Sequence, residues 1–384
     1  MNIHIFAFII QGVKKKRVIV SVINDLVTDN RVHRTCTTLH TMGFEVLLVG
    51  RRLGGSLPLQ RSYATHRMRL FFTRGFMFYA FFNVRLFFFL LFRRADMLVS
   101  NDLDTLLPNY LAARLKGAEL VYDSHELFCE VPELQGSPFK KAFWKRIERF
   151  CFPRLRHVIT VNPAIAAIYN KEYGVEVGVV RNVPARMPDT PALSRQELGL
   201  PGDKKIILLQ GGGINIDRGV EEAVQAMRYI DDALFLIIGG GDIVSKLKVM
   251  ASEPGLAGKV KFIGRLPLEE LARYTRLADV GLSIDKDTNS NYRYSLPNKL
   301  FDYIHAGVPV LASPLEEIKK VFSEFEVGLM ITGHDPRHIA ERLMTMLHDE
   351  AGQKRWRENC KRAAMKYNWE NEERNLINLF SRFV

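Results

Sequence analysis

Short apolar runs alternate with amphipathic stretches along nearly the whole chain, and that rhythm admits few folds. Val18 to Ile23, Glu45 to Val49, Met97 to Ser100, Glu119 to Tyr122, Val158 to Val161 and Val177 to Val180 have the length and composition of buried strands. The intervening stretches carry helical periodicity; Asp29 to Met42, closed by Gly43, is the clearest. Strands joined through helices pair in parallel, because parallel neighbours need a long crossover. A second series follows at Ile206 to Gln210, Leu234 to Ile238, Val260 to Ile263, Val280 to Ile284 and Val308 to Ala312. Residues 181–204 separate the two series with four prolines and little apolar periodicity, so they read as a linker. With 384 residues the chain exceeds one ordinary core. The expectation is an α/β protein of two parallel-sheet domains facing a cleft. Residues 1–181 and 205–355 form the domains, with 182–204 between them. The tail reads as an amphipathic helix anchored by Trp356, Tyr367 and Trp369. Its 356–384 portion is expected to pack back on the first domain.

Polar clusters follow the strands: Asn24-Asp25, Asn101-Asp102 and Asp123-Ser124-His125-Glu126 in the first series. Open α/β sheets carry their sites at the C-terminal strand edges, so these clusters should converge. His125 can bond a sugar hydroxyl or tune a neighbouring carboxylate, and Glu126 is a base or a helix-capping acid. No GxSxG elbow is present, which removes a serine-nucleophile reading. Asp29 and Arg31 stand where a helix starts, and a cap with an ion pair explains them as well as a function does.

In the second series, glycines close two strands at 211–213 and 239–241. The loop from Gly211 to Gly219 lets backbone amides approach an anion, and Arg218 adds a fork of donors. Its spacing is neither the P-loop nor GxGxxG, so a tight turn with a surface arginine remains a competing reading. The segment Ser295-Leu296-Pro297-Asn298-Lys299-Leu300-Phe301-Asp302 suggests a helix capped by Ser295 with Pro297 in its first turn. Lys299 and Asp302, three apart, share a face. A free helix end with a cation and a carboxylate suits a nucleoside diphosphate: phosphate to Lys299 and the amides, ribose hydroxyls to Asp302. An ordinary capped helix with a surface ion pair is the alternative. Arg218 and Lys299 together could neutralise a departing diphosphate without a metal. Asp285-Lys286-Asp287 has the outline of an acidic metal motif, but its central lysine argues for a solvated loop.

The formal charge of +12 is uneven. Residues 1–180 hold 25 Lys/Arg against 14 Asp/Glu, and the remainder hold 29 against 28. The first half therefore seeks an anionic surface. Leu70 to Phe92 contains ten of the 25 phenylalanines, interrupted by Arg74, Asn83 and Arg85 and closed by Arg93-Arg94. That pattern suits a helix in the lipid headgroup layer or a core helix; the interruptions argue against a spanning one. Phenylalanines in blocks do not suit nucleic-acid stacking. Four scattered cysteines form no CxxC pair and fit a reducing compartment. Met1 to Gln11 is apolar and followed by Lys14-Lys15-Lys16-Arg17, the reverse of a secretory signal; it reads as an N-terminal extension.

Six stretches, in this order, resemble the family 4 (group 1) glycosyltransferases of the GT-B fold over nearly the whole length. They are Thr28 to Val32, Tyr122 to Leu127, Val180 to Pro184, Gly212 to Gly219, Val260 to Gly264 with Leu271 to Leu282, and Pro297 to Ser313. The resemblance implies two Rossmann-like domains, with the acceptor on the first and a nucleotide-sugar donor of UDP or GDP type on the second. It implies transfer with retention, without a metal or other cofactor, and a terminal helix crossing back to the first domain. It places His125 near the donor sugar, Arg218 at the donor phosphates, and Ile263 and Gly264 against the nucleobase. It places Gly212, Gly213, Tyr294, Ser295, Leu296, Pro297 and Asp302 around the donor, with Asp29, Asn101, Asp102 and Glu126 on the facing domain. The chain departs from the family at two points. Gly213 stands where an arginine is usual, with Lys299 as a substitute cation. Tyr294 and Asp302 stand where the family has Glu-x7-Glu.

The implied function is sugar transfer to a glycan or lipid-linked acceptor at the cytoplasmic face of an anionic membrane, with no nucleic-acid partner. An epimerase of the same fold and an inactive membrane-surface scaffold are the rival expectations.

Overall fold

A computed structural model describes residues 15–27, 29–186 and 193–384. The apolar extension before Lys15, Thr28 of the first family stretch and the middle of the proline-rich linker lie outside the described residues.

Two compact units result. The first holds a seven-stranded sheet in the order β3-β2-β1-β4-β5-β6-β7. Its strands are β1 (Arg17–Asp25), β2 (Glu45–Arg52), β3 (Ala64–Arg69), β4 (Met97–Asn101), β5 (Glu119–Ser124), β6 (His157–Thr160) and β7 (Val177–Val179). Every pairing is parallel. The central strands are buried on both faces, which is why they read as continuous apolar runs. β3 was not foreseen: Ala-Thr-His-Arg-Met-Arg buries only Met68, as an edge strand with one covered face does.

The second unit holds six parallel strands in the order β10-β9-β8-β11-β12-β13. They are β8 (Lys205–Gly211), β9 (Ala233–Gly239), β10 (Val260–Ile263), β11 (Val280–Ser283), β12 (Val310–Ala312) and β13 (Gly328–Met330). Both sheets reverse strand order beside their first strand, β1/β4 and β8/β11. Crevices at the C-terminal strand edges open at such reversals.

Three helices of the first unit matter below. α1 (Asn30–Thr41) starts at Asp29, whose carboxylate accepts from Val32 N at 3.1 Å. α2 (Gly75–Phe92) turns Phe78, Phe82, Leu86 and Leu90 into the core at four-residue spacing. Its 18 residues are long and apolar enough to cross a membrane, which Asn83 and Arg85 concealed in the sequence. The four-residue stripe packs one side of it on the unit. Asn83 donates to the carbonyls of Tyr79 (2.8 Å) and Asp104 (3.0 Å), tying α2 to α3 (Leu103–Lys116).

The unit boundaries differ from those read in the sequence. Residues 130–136 group with the second unit, as does everything from 181 to 372; only 373–384 return to the first. Trp356, Cys360 and Ala363 fall at helical spacing and fill the second unit's cores, so the helix Glu350–Lys366 stays there. Val183 and Leu200 of the linker are buried in the same place.

Candidate functional site

In the second unit the glycine loops after β8 and β9 pack backbone on backbone. Ile214 N donates to Gly240 O at 3.0 Å, and Gly240 N to Gly211 O at 3.2 Å. A Cβ on Gly239, at φ +139°, would sit 1.8 Å from Gly211 O. Only glycine permits that approach, which leaves Gly212 and Gly213 exposed on the rim. Arg265 Nη2 donates to Gly212 O at 2.9 Å and fixes the loop.

Past the loop, Arg218 lies with its guanidinium 4.2 Å from the centre of the Tyr292 ring, a cation–π contact. Its Nη1 is 3.3 Å from Asp285 Oδ1, and the same oxygen receives Lys299 Nζ at 3.1 Å. Arg218 and Lys299 keep 25% and 13% of their side-chain surface exposed, whereas Asp285 has none. Asp285 was expected in a solvated loop. It is instead the second residue after β11, still inside the sheet layer. Its neighbours Lys286 and Asp287 supply the solvated character, pairing with Glu222 (2.6 Å) and Arg293 (2.9 Å). Burial, followed by the nearby Arg218 charge, lowers the Lys299 ammonium from its ordinary value, and Asp285 opposes both.

The helix Asn298–His305 carries Lys299 and Asp302. Ser295 does not cap it: its hydroxyl donates to Tyr292 O at 2.9 Å, and Pro297 occupies the cap position with no side-chain bond. The short helix Ser290–Arg293 ends just before and engages Ser295 first, which moves the start to Asn298. Tyr294 closes that short helix, its N donating to Ser290 O at 3.2 Å. Leu296 packs partly buried against the core. Asp302 Oδ2 accepts from Gln210 Nε2 at 3.1 Å, and Gln210 Oε1 accepts from Thr275 Oγ1 at 2.7 Å. Gln210 was missed; a polar residue ending an apolar strand just before Gly211 was the available signal. Ile263 ends β10 half-buried and Gly264 follows, exposed.

In the first unit two of the three expected clusters meet, Asn101-Asp102 with Asp123 to Glu126, whereas Asn24 turns to Asp29 and Asp25 to Ser56 and Arg67. Arg31 makes a two-pronged pair with Asp123, at 2.7 and 3.1 Å, and donates to Val180 O at 2.7 Å. Both partners are buried, so Arg31 pairs across the sheet edge rather than with Asp29. Asp29 caps α1 and accepts from Asn24 Nδ2 at 3.2 Å. Asn101, buried, donates to Ser21 O at 3.0 Å. Asp102 adopts φ +58°, unusual for a residue with a Cβ. Its carboxylate receives His125 N at 2.9 Å and lies 3.1 Å from His125 Nδ1. His125 Nε2 is 3.5 Å from Asp123 Oδ2. Burial pulls the His125 imidazole down, but Asp102 and then Asp123 outweigh it and hold the ring well above its ordinary value. Burial likewise opposes ionisation of Asp123, yet Arg31 and His125 hold it well below the carboxylate range. The two carboxylates thus favour the imidazolium form of His125, which suits a hydrogen-bond donor better than a base. The Glu126 carbonyl accepts from Ser124 Oγ at 2.8 Å and Tyr169 OH at 3.2 Å, which locks the loop.

A parallel-sheet unit with a glycine-lined strand edge, two cations on one buried acid and an uncapped helix beside them has the chemistry of an anion site. Residues 29–184 match the model of Glycosyltransferase Family 4, and residues 192–363 that of Glycosyl transferases group 1. The chain belongs to the family 4 (group 1) glycosyltransferases and has the GT-B fold. A D-inositol 3-phosphate glycosyltransferase of Xylanimonas cellulosilytica is 24% identical over 200 residues, 49% of this chain and 45% of that protein. A phosphatidyl-myo-inositol mannosyltransferase of Mycobacterium leprae is 25% identical over 193 residues, 47% of each chain. The matches thus span about half the length of these relatives. An Anabaena protein, HepE, solved with UDP and glucose, superposes with a TM-score of 0.75 at 13% identity, covering 96% of this chain and all of that one.

Proposed function

We propose that this chain transfers a sugar, with retention of anomeric configuration and without a metal, from a UDP- or GDP-sugar to a glycan or lipid-linked acceptor. The acceptor is presented at the cytoplasmic face of a membrane, in the synthesis of surface polysaccharide or a lipid-linked glycan. One observation carries this reading: Arg218 and Lys299, both partly exposed, meet on Asp285 beside an uncapped helix N-terminus and exposed glycines. Two cations and backbone amides can take the charge that grows on a departing diphosphate, roughly 3 kcal/mol for each donor. A metal becomes unnecessary for that step. The two GT-B units leave catalysis to positioning and charge, and a phosphate oxygen of the leaving diphosphate can accept the acceptor's proton on the same face.

HepE was solved with UDP and glucose, and the mannosyltransferase is named for a phosphatidyl-myo-inositol; both are consistent with the reading. The membrane part rests on the first unit, where phenylalanines and basic residues share exposed surface.

The test is a screen of UDP-, GDP- and ADP-sugars for nucleoside diphosphate release with added acceptor lipids, with and without chelator. Activity on one donor class, unchanged by chelator, is expected. Arg218→Ala and Lys299→Ala should each lower the transfer rate at least tenfold while the fold survives. Wild-type kinetics in both would remove the phosphate assignment. An altered sugar formed from donor alone would mark an epimerase, and failure to bind UDP or GDP a scaffold.

A further inference from the structure

The reading above gives Asp285 no role of its own, yet the two cations of the donor site converge on it. Its side chain is fully buried one residue past the buried Ile284, at the C-terminal end of β11. Oδ1 serves both Arg218 (3.3 Å) and Lys299 (3.1 Å), and Oδ2 is buried with no hydrogen-bond partner among the described residues. A surface ion pair of convenience would be open to water on the acid side. Here the acid is sealed beneath the sheet edge and the cations lie above it, partly exposed.

Without an anion, two cations this close would repel each other, and the ammonium would be the one to lose its proton. The charges bearing on Lys299 are few. Asp285 reaches it from the end of β11 and Arg218 from the glycine loop, with Tyr292 of the short helix stacked on Arg218. On its own helix, Asp302 is engaged by Gln210. Asp217, next to Arg218, contributes its carbonyl to Lys286 N at 2.8 Å.

We infer that Asp285 is a positioning residue: a buried counter-charge that holds Arg218 and Lys299 together, both charged, before a nucleoside diphosphate arrives. It cannot meet the ligand itself, because it has no exposed surface. Its effect passes through the two cations, and the inference rests on the donor-site reading. Burial and the Arg218 charge already lower the Lys299 proton affinity, and Asp285 is what counters them. Removing that charge lets Lys299 deprotonate at a lower pH, so diphosphate binding weakens as pH rises.

The experiment is calorimetric titration of the full chain with UDP and with GDP from pH 6.5 to 9.5. Wild type should bind one of them, with the shallower pH dependence. Asp285→Asn should bind at least fivefold more weakly at neutral pH and fall further with rising pH. The pH slope should vanish in Asp285→Asn combined with Lys299→Arg, since an arginine keeps its proton. A folded Asp285→Asn with wild-type affinity and a wild-type profile overturns the inference. Should that variant not fold, Asp285→Asn with Lys299→Met removes both buried charges together. It should bind at least threefold more weakly than Lys299→Met alone, because Arg218 loses its anchor; equal affinities overturn the inference. Wild type binding neither nucleotide would instead sink the donor-site reading, so the two failures are distinguishable.

Discussion

At the scale of single residues, charge placement decides what each group can do. His125 sits between Asp102 and Asp123, with Nδ1 3.1 Å from one carboxylate and Nε2 3.5 Å from the other. A group that holds its proton more tightly in the fold than in the unfolded chain stabilises the fold while protonated. That contribution is complete below the ordinary imidazole value, near 6.5, and is lost as pH rises through the raised folded value. Asp102→Asn removes the nearer carboxylate, while Asp123 remains committed to Arg31. Wild-type kcat/KM should be flat between about pH 6 and 8, with the variant falling across that window, and an NMR titration of the His125 ring should show the same displacement. Superimposed profiles would show that Asp102 does not set the ring's charge. Motif spacing made His125, Arg218 and Lys299 legible in the sequence, because each stands just past a strand or at a helix start. Asp285 was illegible for a physical reason. Burial is settled by the whole sheet layer, and the neighbours Lys286 and Asp287 give the segment the composition of a solvated loop. Ser295 misled in the same way, since its composition suits a cap and only the preceding turn shows that its hydroxyl is already engaged.

At the scale of elements, the alternation of strands and helices was legible because buried parallel strands are apolar throughout. β3 was not, because an edge strand with a single buried side chain resembles a loop. The phenylalanine-rich helix lay between two readings; one of its faces is buried in the core and another is exposed. Phe78, Phe82, Leu86 and Leu90 fill the core, while Phe76, Val84, Phe88 and Phe92 remain exposed. Phe76 meets Phe143 edge-on, with ring centres 6.0 Å apart, which joins α2 to the helix Pro138–Cys151. That helix adds Phe139, 81% exposed, with Lys140, Arg146 and Arg149 on its open surface. Burying a phenylalanine contributes about 1.5–3 kcal/mol, and each basic residue near an anionic leaflet about 1 kcal/mol. Phe76→Ser with Phe139→Ser should therefore weaken co-sedimentation with anionic vesicles at least tenfold while far-UV circular dichroism stays that of the folded chain. Added salt should weaken wild type in parallel, because the basic contribution is screened. Binding that ignores both changes would place the membrane contact elsewhere or nowhere.

At the scale of the whole molecule, the first unit is discontinuous in sequence. The chain leaves it at 180 and contributes to it again only through 373–384. That last segment is held by specific contacts rather than by chain connectivity. Thr38 Oγ1 donates to Glu373 Oε1 at 2.6 Å, Leu379 covers Gly178, and Phe383 stacks edge-on against His157 with centres 4.9 Å apart. A Cβ at Gly178 would lie 2.9 Å from both Leu379 methyl carbons, so the leucine would have to shift to admit one. Leu376 and Phe380 are each 1% exposed. Burial of those two side chains alone contributes about 3–6 kcal/mol, against the 5–15 kcal/mol that usually separates folded from unfolded domains. Ending the chain after Glu372 removes all of these contacts. The same cut spares the second unit's cores, which the Trp356, Cys360 and Ala363 stripe completes upstream. The truncated chain should show a melting transition of the first unit lowered by about 10 °C or more, with the second unit's transition in place. Amide exchange should quicken first in β6 and β7, the strands nearest the lost segment. If the truncated chain instead melted as wild type does, residues 373–384 would be an appendage, and the first unit would be complete at Val180.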